Sequence, residues 1–529
     1  MPLNLLLAGA TALLLTLAFP GFDLAFLAPI ALAPLLVAVA RTPAHARRFL
    51  LGWAAGVLYW GCVCHWIHFV LAVHGSMAEW AACLGFAFFC LVKGLHLGVF
   101  ALLAGFLIAR RSAALTVPAL WVAIEWTHTH LGFAWLDLGN AGIDMSVPAR
   151  LAPWTGVYGI SFAFALAGTA LALAVLRRPR LELAPLLALP LIVLLPALPP
   201  PQPGTETALL VQPNVSEKAD WTFKWVLAMQ DRLEALTMKA ALADPAVPPR
   251  LIVWPEAPLP NYYYDDPDTR DWVDRVARRA GTYLIVNTTP RDATSALFNS
   301  ALLVSPAGSV VGRYDQVNLV PFGEYVPWPF HTLVAKISTE SDDFSPGQRQ
   351  VTLAAGRRRI GLLICYESVF PDYVRRFARD GAEVLVNISN DGWYGGAAAR
   401  EQHLKIVRMR AAENRRWLLR STNDGITATI DPAGRLHRDL PPYTAAAART
   451  AYSPIAATTF YSRHGDWFVL LCALLALAEL ARPLLVSRLC SSSTPPRLSD
   501  DSVGAGHPLE RFGRVPSARK PSRPKLRRG

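Results

Sequence analysis

Seven cysteines occur in the chain, and only Cys365 lies inside its long polar stretch, where a short apolar run stops: Arg359-Ile360-Gly361-Leu362-Leu363-Ile364-Cys365-Tyr366-Glu367. A thiol displayed at a strand end, with a carboxylate two residues on, has the placement of a nucleophile. A buried structural cysteine is the commoner alternative. Two glutamates have settings of the same kind. Glu256 follows Leu251-Ile252-Val253-Trp254-Pro255, and with Pro258 nearby it is held in stiff, partly apolar surroundings. Such surroundings raise a carboxyl pKa toward the range of a general base, although an isolated strand-end glutamate is usually solvated surface. Glu324 sits in Leu319-Val320-Pro321-Phe322-Gly323-Glu324-Tyr325-Val326-Pro327, where two prolines and a glycine stiffen a turn. A thiol and a positioned base are the parts of covalent catalysis.

The elements that must position them alternate. Stretches 207–211, 251–254, 283–287, 301–304, 360–364 and 384–388 read as strands; 221–243, 268–280, 371–380 and 401–417 read as helices. Alternation of this kind predicts an α/β domain, in which active groups gather at the carboxyl ends of strands.

This domain cannot stand alone. The mean hydropathy is +0.30. With 53% hydrophobic and 17% charged residues over 529 positions, the chain is too apolar for a soluble enzyme of that size. Apolar stretches at 3–19, 24–40, 50–72, 80–109, 113–127, 157–176, 182–198 and 465–482 predict eight transmembrane helices, about 20 residues being needed to cross the hydrocarbon core. No Lys or Arg precedes the first apolar run and further spans follow at once, so it reads as a retained helix. Arg41, Arg47, Arg48, Arg110, Arg111, Arg177, Arg178 and Arg180 fall on one face, which positive-inside placement makes cytoplasmic. Both termini are then cytoplasmic, and the polar domain faces outward.

The expected domains are 1–199 (seven transmembrane helices), 200–460 (the extracytoplasmic domain), 461–485 (the eighth helix) and 486–529 (a basic tail). The tail is too polar to build a core and suits weak contact with anionic lipid. The formal net charge of +12 reflects this tail and the anchoring arginines. Without aromatic interleaving it does not point to nucleic acid. Cys62, Cys64, Cys83, Cys90, Cys472 and Cys490 lie in or beside spans, and no disulfide framework can be read from them. Cys62-Val63-Cys64-His65 offers half a metal site without a second half, so neither metal nor cofactor is expected. Glu125, His65, His68 and His96 fall in or near spans; they either line a headgroup cavity or sit at the interface with Trp66 and Trp126.

The order Trp-Pro-Glu, Leu-Val-Pro-Phe-Gly-Glu, Ile-Cys-Tyr-Glu and Asn-Asp-Gly-Trp-Tyr-Gly resembles the nitrilase superfamily, and its setting between seven spans and one resembles the apolipoprotein N-acyltransferases of Gram-negative inner membranes. The resemblance runs from the first span to about residue 482. It implies a nitrilase-like αββα sandwich joined to the eight-helix bundle, a periplasmic active site, and a Glu–Lys–Cys triad. The glutamate matches Glu256 and the cysteine Cys365, but the lysine position, eight before Glu324, holds Gln316. A glutamine amide donates a hydrogen bond yet brings no charge to an oxyanion, and losing one such donor costs about 10²–10³ in rate.

Glu324 and Glu367 match glutamates around the family's site, where they either act on the reacting groups or bond structurally to loop amides. Tyr366, Asn299 and Trp393 match motif positions with scaffold roles as the default, and Trp221 matches a tryptophan lining the substrate approach, or is simple packing. Asn261-Tyr262-Tyr263-Tyr264 and Pro327-Trp328-Pro329-Phe330 have the composition of interfacial lids, or of packing loops.

The implied partners are a phospholipid acyl donor, a diacylglyceryl apolipoprotein acceptor and membrane lipids, with the chain a monomer. Two other readings remain: a catalytically impaired homologue that binds lipid or lipoprotein, favoured by Gln316, and a membrane-tethered amidase that passes its acyl group to water.

Overall fold

The computed structural model describes residues 1–130, 133–216, 221–257, 259, 262–326 and 343–492, with side chains as far as 483. Pro258, Asn261, the stretch 327–330, Lys336 and most of the basic tail lie outside the described residues. Residues Met1–Ala481 form one compact unit, and a second begins at Arg482.

Strands β1 (Glu206–Gln212), β2 (Leu251–Val253), β3 (Tyr283–Thr288), β4 (Ser300–Val304), β5 (Val310–Asp315) and β12 (Ala446–Tyr452) form one sheet, in the order β12-β1-β2-β3-β4-β5. The second contains β6 (Thr352–Ala355), β7 (Arg358–Ile364), β8 (Val384–Ser389), β9 (Leu418–Thr422), β10 (Ala428–Ile430) and β11 (Leu436–Arg438), in the order β11-β10-β9-β8-β7-β6. Strands β1, β2 and β3 run parallel, as do β7, β8 and β9.

The alternating residues of each strand assign the layers. Leu209, Val211, Ile252 and Leu284 pack against Leu233, Trp272 and Val276 of the helices Phe223–Ala241 and Pro267–Ala280. Ala208, Leu210, Val253 and Ile285, from the opposite face, share a core with Leu362, Ile364, Val386 and Leu418 of the other sheet. The helices Pro371–Arg379 and Ala399–Asn414 connect β7 to β8 and β8 to β9. The result is the expected αββα sandwich.

Among the described residues, two helices are long and apolar enough to cross a membrane, Glu79–Leu107 and Val157–Val175. The pair His45–Val63 and Trp66–His74, bent by 59°, makes a third if it counts as one span, and Pro2–Leu17 and Ala25–Ala40 are shorter apolar helices. The apolar stretch at 182–198 is not one helix. It divides into Arg180–Leu187, Ala188–Leu191 and Ile192–Leu194, the first and last in 3-10 geometry. Pro185 and Pro190 remove N–H donors and crowd the preceding turn, which interrupts a continuous α-helix.

Helix Ala399–Asn414 seats the sandwich on the bundle, and this explains why Gln402, Lys405, Arg410 and Glu413 are all buried. Gln402 donates to the carbonyls of Pro20 (3.3 Å) and Val63 (3.0 Å) and accepts from Trp135 Nε1 (2.9 Å). Glu413 accepts from the Val157 N–H (2.8 Å) and pairs with Arg410 (2.9 Å). Lys405 is paired with Asp23, and both Lys405 (3.1 Å) and Arg408 (2.6 Å) with Asp144. Gln402→Ala strands the Trp135 donor in a dry interface, at about 1–3 kcal/mol for a buried group left unpaired. Thermal unfolding in detergent is expected to show a lowered midpoint; an unchanged midpoint would mean that this seam carries little stability.

Candidate active site

Glu256 and Cys365 leave the two sheets at equivalent points, just beyond the carboxyl ends of β2 and β7, the middle and the first strand of their parallel trios. Cys365 has φ of 46°, in the left-handed region, a conformation that costs of order 1–3 kcal/mol for a non-glycine residue. Its surroundings hold it there. The Cys365 carbonyl accepts from Ser368 Oγ (2.8 Å) and Asn387 Nδ2 (3.4 Å), and Ser389 Oγ donates to its sulfur (3.4 Å).

Glu256 is buried, and the two sequence-picked groups converge at the end of β8, where the Asn390 N–H donates to the Glu256 carboxylate and the neighbouring Ser389 Oγ to the Cys365 sulfur. Its carboxylate also accepts from Asn299 Nδ2 (2.9 Å) and from the Asn390 N–H (3.1 Å). Burial, and then the charge of Glu324, push the Glu256 carboxyl up to about 8, against the opposing pull of Asn299, Cys365 and Asn390. The Cys365 thiol is also driven well above its ordinary range, by burial first and then by Glu256, with Ser389 opposing. The resting pair is therefore a neutral acid beside a neutral thiol.

Gln316 is buried next to them, and Asn299 ties the group together. Asn299 Nδ2 faces Glu256 (2.9 Å), Gln316 Oε1 (2.8 Å) and Glu324 Oε1 (3.1 Å), three acceptors for two hydrogens. Gln316 Nε2 donates to the Asn318 carbonyl (3.1 Å) and to Glu324 Oε2 (2.9 Å). Both its N–H bonds are thus engaged, leaving none for an oxyanion. Arg313, one of the two cations nearest in sequence, is paired with Asp315 (2.6 Å).

Glu367 accepts from the N–H groups of Ile364 (3.0 Å), Val317 (2.8 Å) and Asn318 (3.2 Å) and from the Tyr314 hydroxyl (2.7 Å), and so pins the Gln316 loop to the end of β7. Burial raises its carboxyl to about 7, with those donors opposing. Tyr366 reaches the other way: its hydroxyl accepts from the Ala134 N–H (2.9 Å), and its ring stacks on Phe133 (5.7 Å) in the membrane part.

Trp393 packs on His74 (4.6 Å) of the bent helix pair. Trp221 precedes its helix, which begins at Phe223 with Thr222 as cap; its ring is half exposed and meets Trp225 (5.0 Å). Of the tyrosine loop, Tyr262 and Tyr264 are exposed, while Tyr263 is buried and donates to Asp274 (2.8 Å). Glu125 is deeply buried, accepting from Trp121 Nε1 (3.1 Å) and the Leu138 N–H (2.6 Å).

Sequence reasoning missed a second tier behind the sulfur. Ser368 Oγ meets His403 Nε2 (2.8 Å), His403 Nδ1 lies by Arg420 (3.3 Å), and Arg420 pairs with Asp391 (2.7 Å). Burial disfavours charge on Asp391, but Arg420, and then His403, outweigh it and hold the carboxyl well below the usual range. The sequence signal was slight: in Leu418-Leu419-Arg420-Ser421-Thr422 a charged residue follows two leucines inside a fully buried strand.

The two-sheet sandwich is of the carbon–nitrogen hydrolase type and is joined to a bundle of apolar helices. Residues 210–453 match the carbon-nitrogen hydrolase family, and residues 11–170 match the apolipoprotein N-acyltransferase N-terminal domain. The chain belongs to the apolipoprotein N-acyltransferase family. It is similar to the apolipoprotein N-acyltransferases of Geobacter metallireducens, 34% identical over 88% of this chain and 92% of that one, and of Azotobacter vinelandii, 32% identical over 87% and 92%. An amidase from Nesterenkonia sp. superposes with a TM-score of 0.38 and 18% identity, over 51% of this chain and 97% of that one.

Because the folded-state value of Glu256 lies above the unfolded one, its contribution to stability is present at low pH and is lost as the pH rises through about 8. Glu256→Gln, an isostere of the neutral form, is expected to match the wild type in stability below about pH 4, to exceed it increasingly as the pH rises to about 8, and to keep a constant excess above that. It is also expected to lose about 10²–10⁴ in acyl-transfer rate. Denaturation and activity measured across pH check both; equal pH dependence of stability in the two proteins would contradict the buried neutral acid.

Proposed function

We propose that the chain transfers an acyl group from a phospholipid to the α-amino group of an S-diacylglyceryl cysteine at a lipoprotein N-terminus, by way of a thioester on Cys365. The observation that carries this reading is the convergence of Glu256 and Cys365, each just past a strand end, on the neighbouring residues Ser389 and Asn390. In the first half-reaction Glu256, as carboxylate, takes the thiol proton while sulfur adds to the ester carbonyl. The intermediate then expels the lysophospholipid alkoxide, which receives that proton. In the second half-reaction the free amine attacks the thioester, Glu256 takes a proton from nitrogen and passes it to the departing sulfur, which leaves as the thiol. Asn299, Glu324 and Glu367 position these groups, and Tyr366 and Trp393 tie the site to the bundle. Gln316 occupies the lysine position without supplying charge, and Trp221 contributes apolar surface near the approach.

Both substrates are anchored lipids, so a site fused to membrane helices avoids extracting acyl chains at ~0.8 kcal/mol per CH₂. The arginines after the second, fourth and sixth apolar stretches support eight crossings in a bacterial inner membrane, cytoplasmic termini, and a periplasmic domain from about 200 to 460. We take the chain to work as a monomer.

Impaired turnover is a second reading, favoured by the commitment of both Gln316 N–H bonds to Asn318 and Glu324. One assay tests the two readings: purified protein with phospholipid and a diacylglyceryl lipopeptide, read as the mass gain of an acyl chain on the peptide. Transfer is expected, with Gln316→Lys faster by about 10²–10³. Transfer by the lysine variant alone would favour impairment, and acyl release without peptide modification would overturn transfer in favour of hydrolysis. Since the base must be ionised, the rate is expected to rise with pH through about 8; a flat profile would remove Glu256 from that role.

A further inference from the structure

The sequence offered half a metal site at Cys62-Val63-Cys64-His65, but the fold disperses it: Cys64 is fully buried, and His65 Nδ1 turns to the Cys62 carbonyl (3.0 Å). A different set converges one helical turn further on. After the bend that ends the helix His45–Val63, the short arm Trp66–His74 carries His68, and the helix Glu79–Leu107 opens with Glu79 and Cys83, a spacing that puts both on one face. His68 Nε2 lies 3.1 Å from Glu79 Oε1 and 3.5 Å from Cys83 Sγ, and the three atoms are all within 4.8 Å of one another.

These separations have the size of tetrahedral edges. Zinc bond lengths of about 2.0 Å to nitrogen or oxygen and about 2.3 Å to sulfur require N···O edges of about 3.3 Å and N···S edges of about 3.6 Å. We propose that His68 Nε2, the Glu79 carboxylate and Cys83 Sγ form a three-ligand site for a divalent cation of the zinc class, with water as fourth ligand. The donor set suits such an ion: one imidazole, one carboxylate and one soft sulfur. Binding converts the Cys83 thiol to a metal thiolate and releases its proton to solvent. A thiolate and a carboxylate then neutralise the dication, so the occupied site carries no net charge beside an apolar helix. All three side chains are at least partly open to solvent, which gives the ion a path in.

The position gives the site a consequence. The same arm packs against the loop after β8, with Trp66 on Tyr394 (5.0 Å) and His74 on Trp393 (4.6 Å). An ion joining His68 to the helix Glu79–Leu107 would staple that arm in place next to the catalytic domain.

The test uses the full chain in detergent, stripped with chelator, kept reduced, and equilibrated with micromolar zinc or cobalt. A single retained ion per chain is expected, with a thiolate-to-cobalt charge-transfer band. Cys83→Ser should abolish the band. His68→Ala should weaken zinc binding by more than the about 10–100-fold that loss of an outer partner costs, while His65→Ala should bind as the wild type does. Absence of retained metal, or equal binding by Cys83→Ser, would overturn the site and leave a hydrogen-bonded trio. Neither result bears on the acyl-transfer assay, which reads a different site.

Discussion

The side-chain amide of Asn299 is the contact on which the site depends. It lies between the carboxylates of Glu256 and Glu324 and the carbonyl of Gln316, in a pocket from which water is largely removed. Two carboxylates this close, one buried and the other half-buried, cannot both ionise cheaply. The amide gives each a donor, and the strain falls on Glu256, whose proton is held to about pH 8. That proton lies against a thiol which is itself kept neutral. The site stores its reactivity as a proton yet to be moved, and a lysine in place of Gln316 would change that balance by adding a positive charge beside both carboxylates.

Everything else serves to keep these side chains in register. Glu367 gathers backbone donors from the nucleophile strand and from the loop carrying Gln316, so that one buried carboxylate fixes the distance between them. Behind it, Ser368, His403, Arg420 and Asp391 brace the strained backbone at Cys365. Helix Ala399–Asn414, which carries His403, also carries Gln402, Lys405 and Glu413 into the membrane part. One helix thus touches both the nucleophile's support and the bundle, which gives the catalytic domain a fixed seat on the helices.

The pieces read from sequence were those with strong local signals. Short apolar runs rich in Leu, Ile and Val marked β1, β3, β7 and β8, and Glu256 and Cys365 at strand ends marked the chemistry. Strands β6, β10 and β11 have three or four residues each, and β9 contains Arg420, so no apolar run announced them. Their pairing depends on neighbours distant in sequence. Glu367 and Asn299 were seen as candidates, but their partners could not be, because a carboxylate collecting three N–H groups looks in sequence like any other glutamate. The stretch 182–198 shows the opposite failure: its composition is apolar enough for a span, yet Pro185 and Pro190 divide it into short turns in place of the continuous α-helix expected.

The central claim is that Cys365 sulfur accepts an acyl group with Glu256 as its proton partner. Intact-protein mass measured after exposure to phospholipid, with no lipopeptide present, tests it most directly. The account predicts a hydroxylamine-labile gain of one acyl chain, mapped to Cys365, present in the wild type or strengthened in Gln316→Lys, and absent from Cys365→Ala. An adduct that survives in Cys365→Ala, or no adduct even in Gln316→Lys, would contradict it.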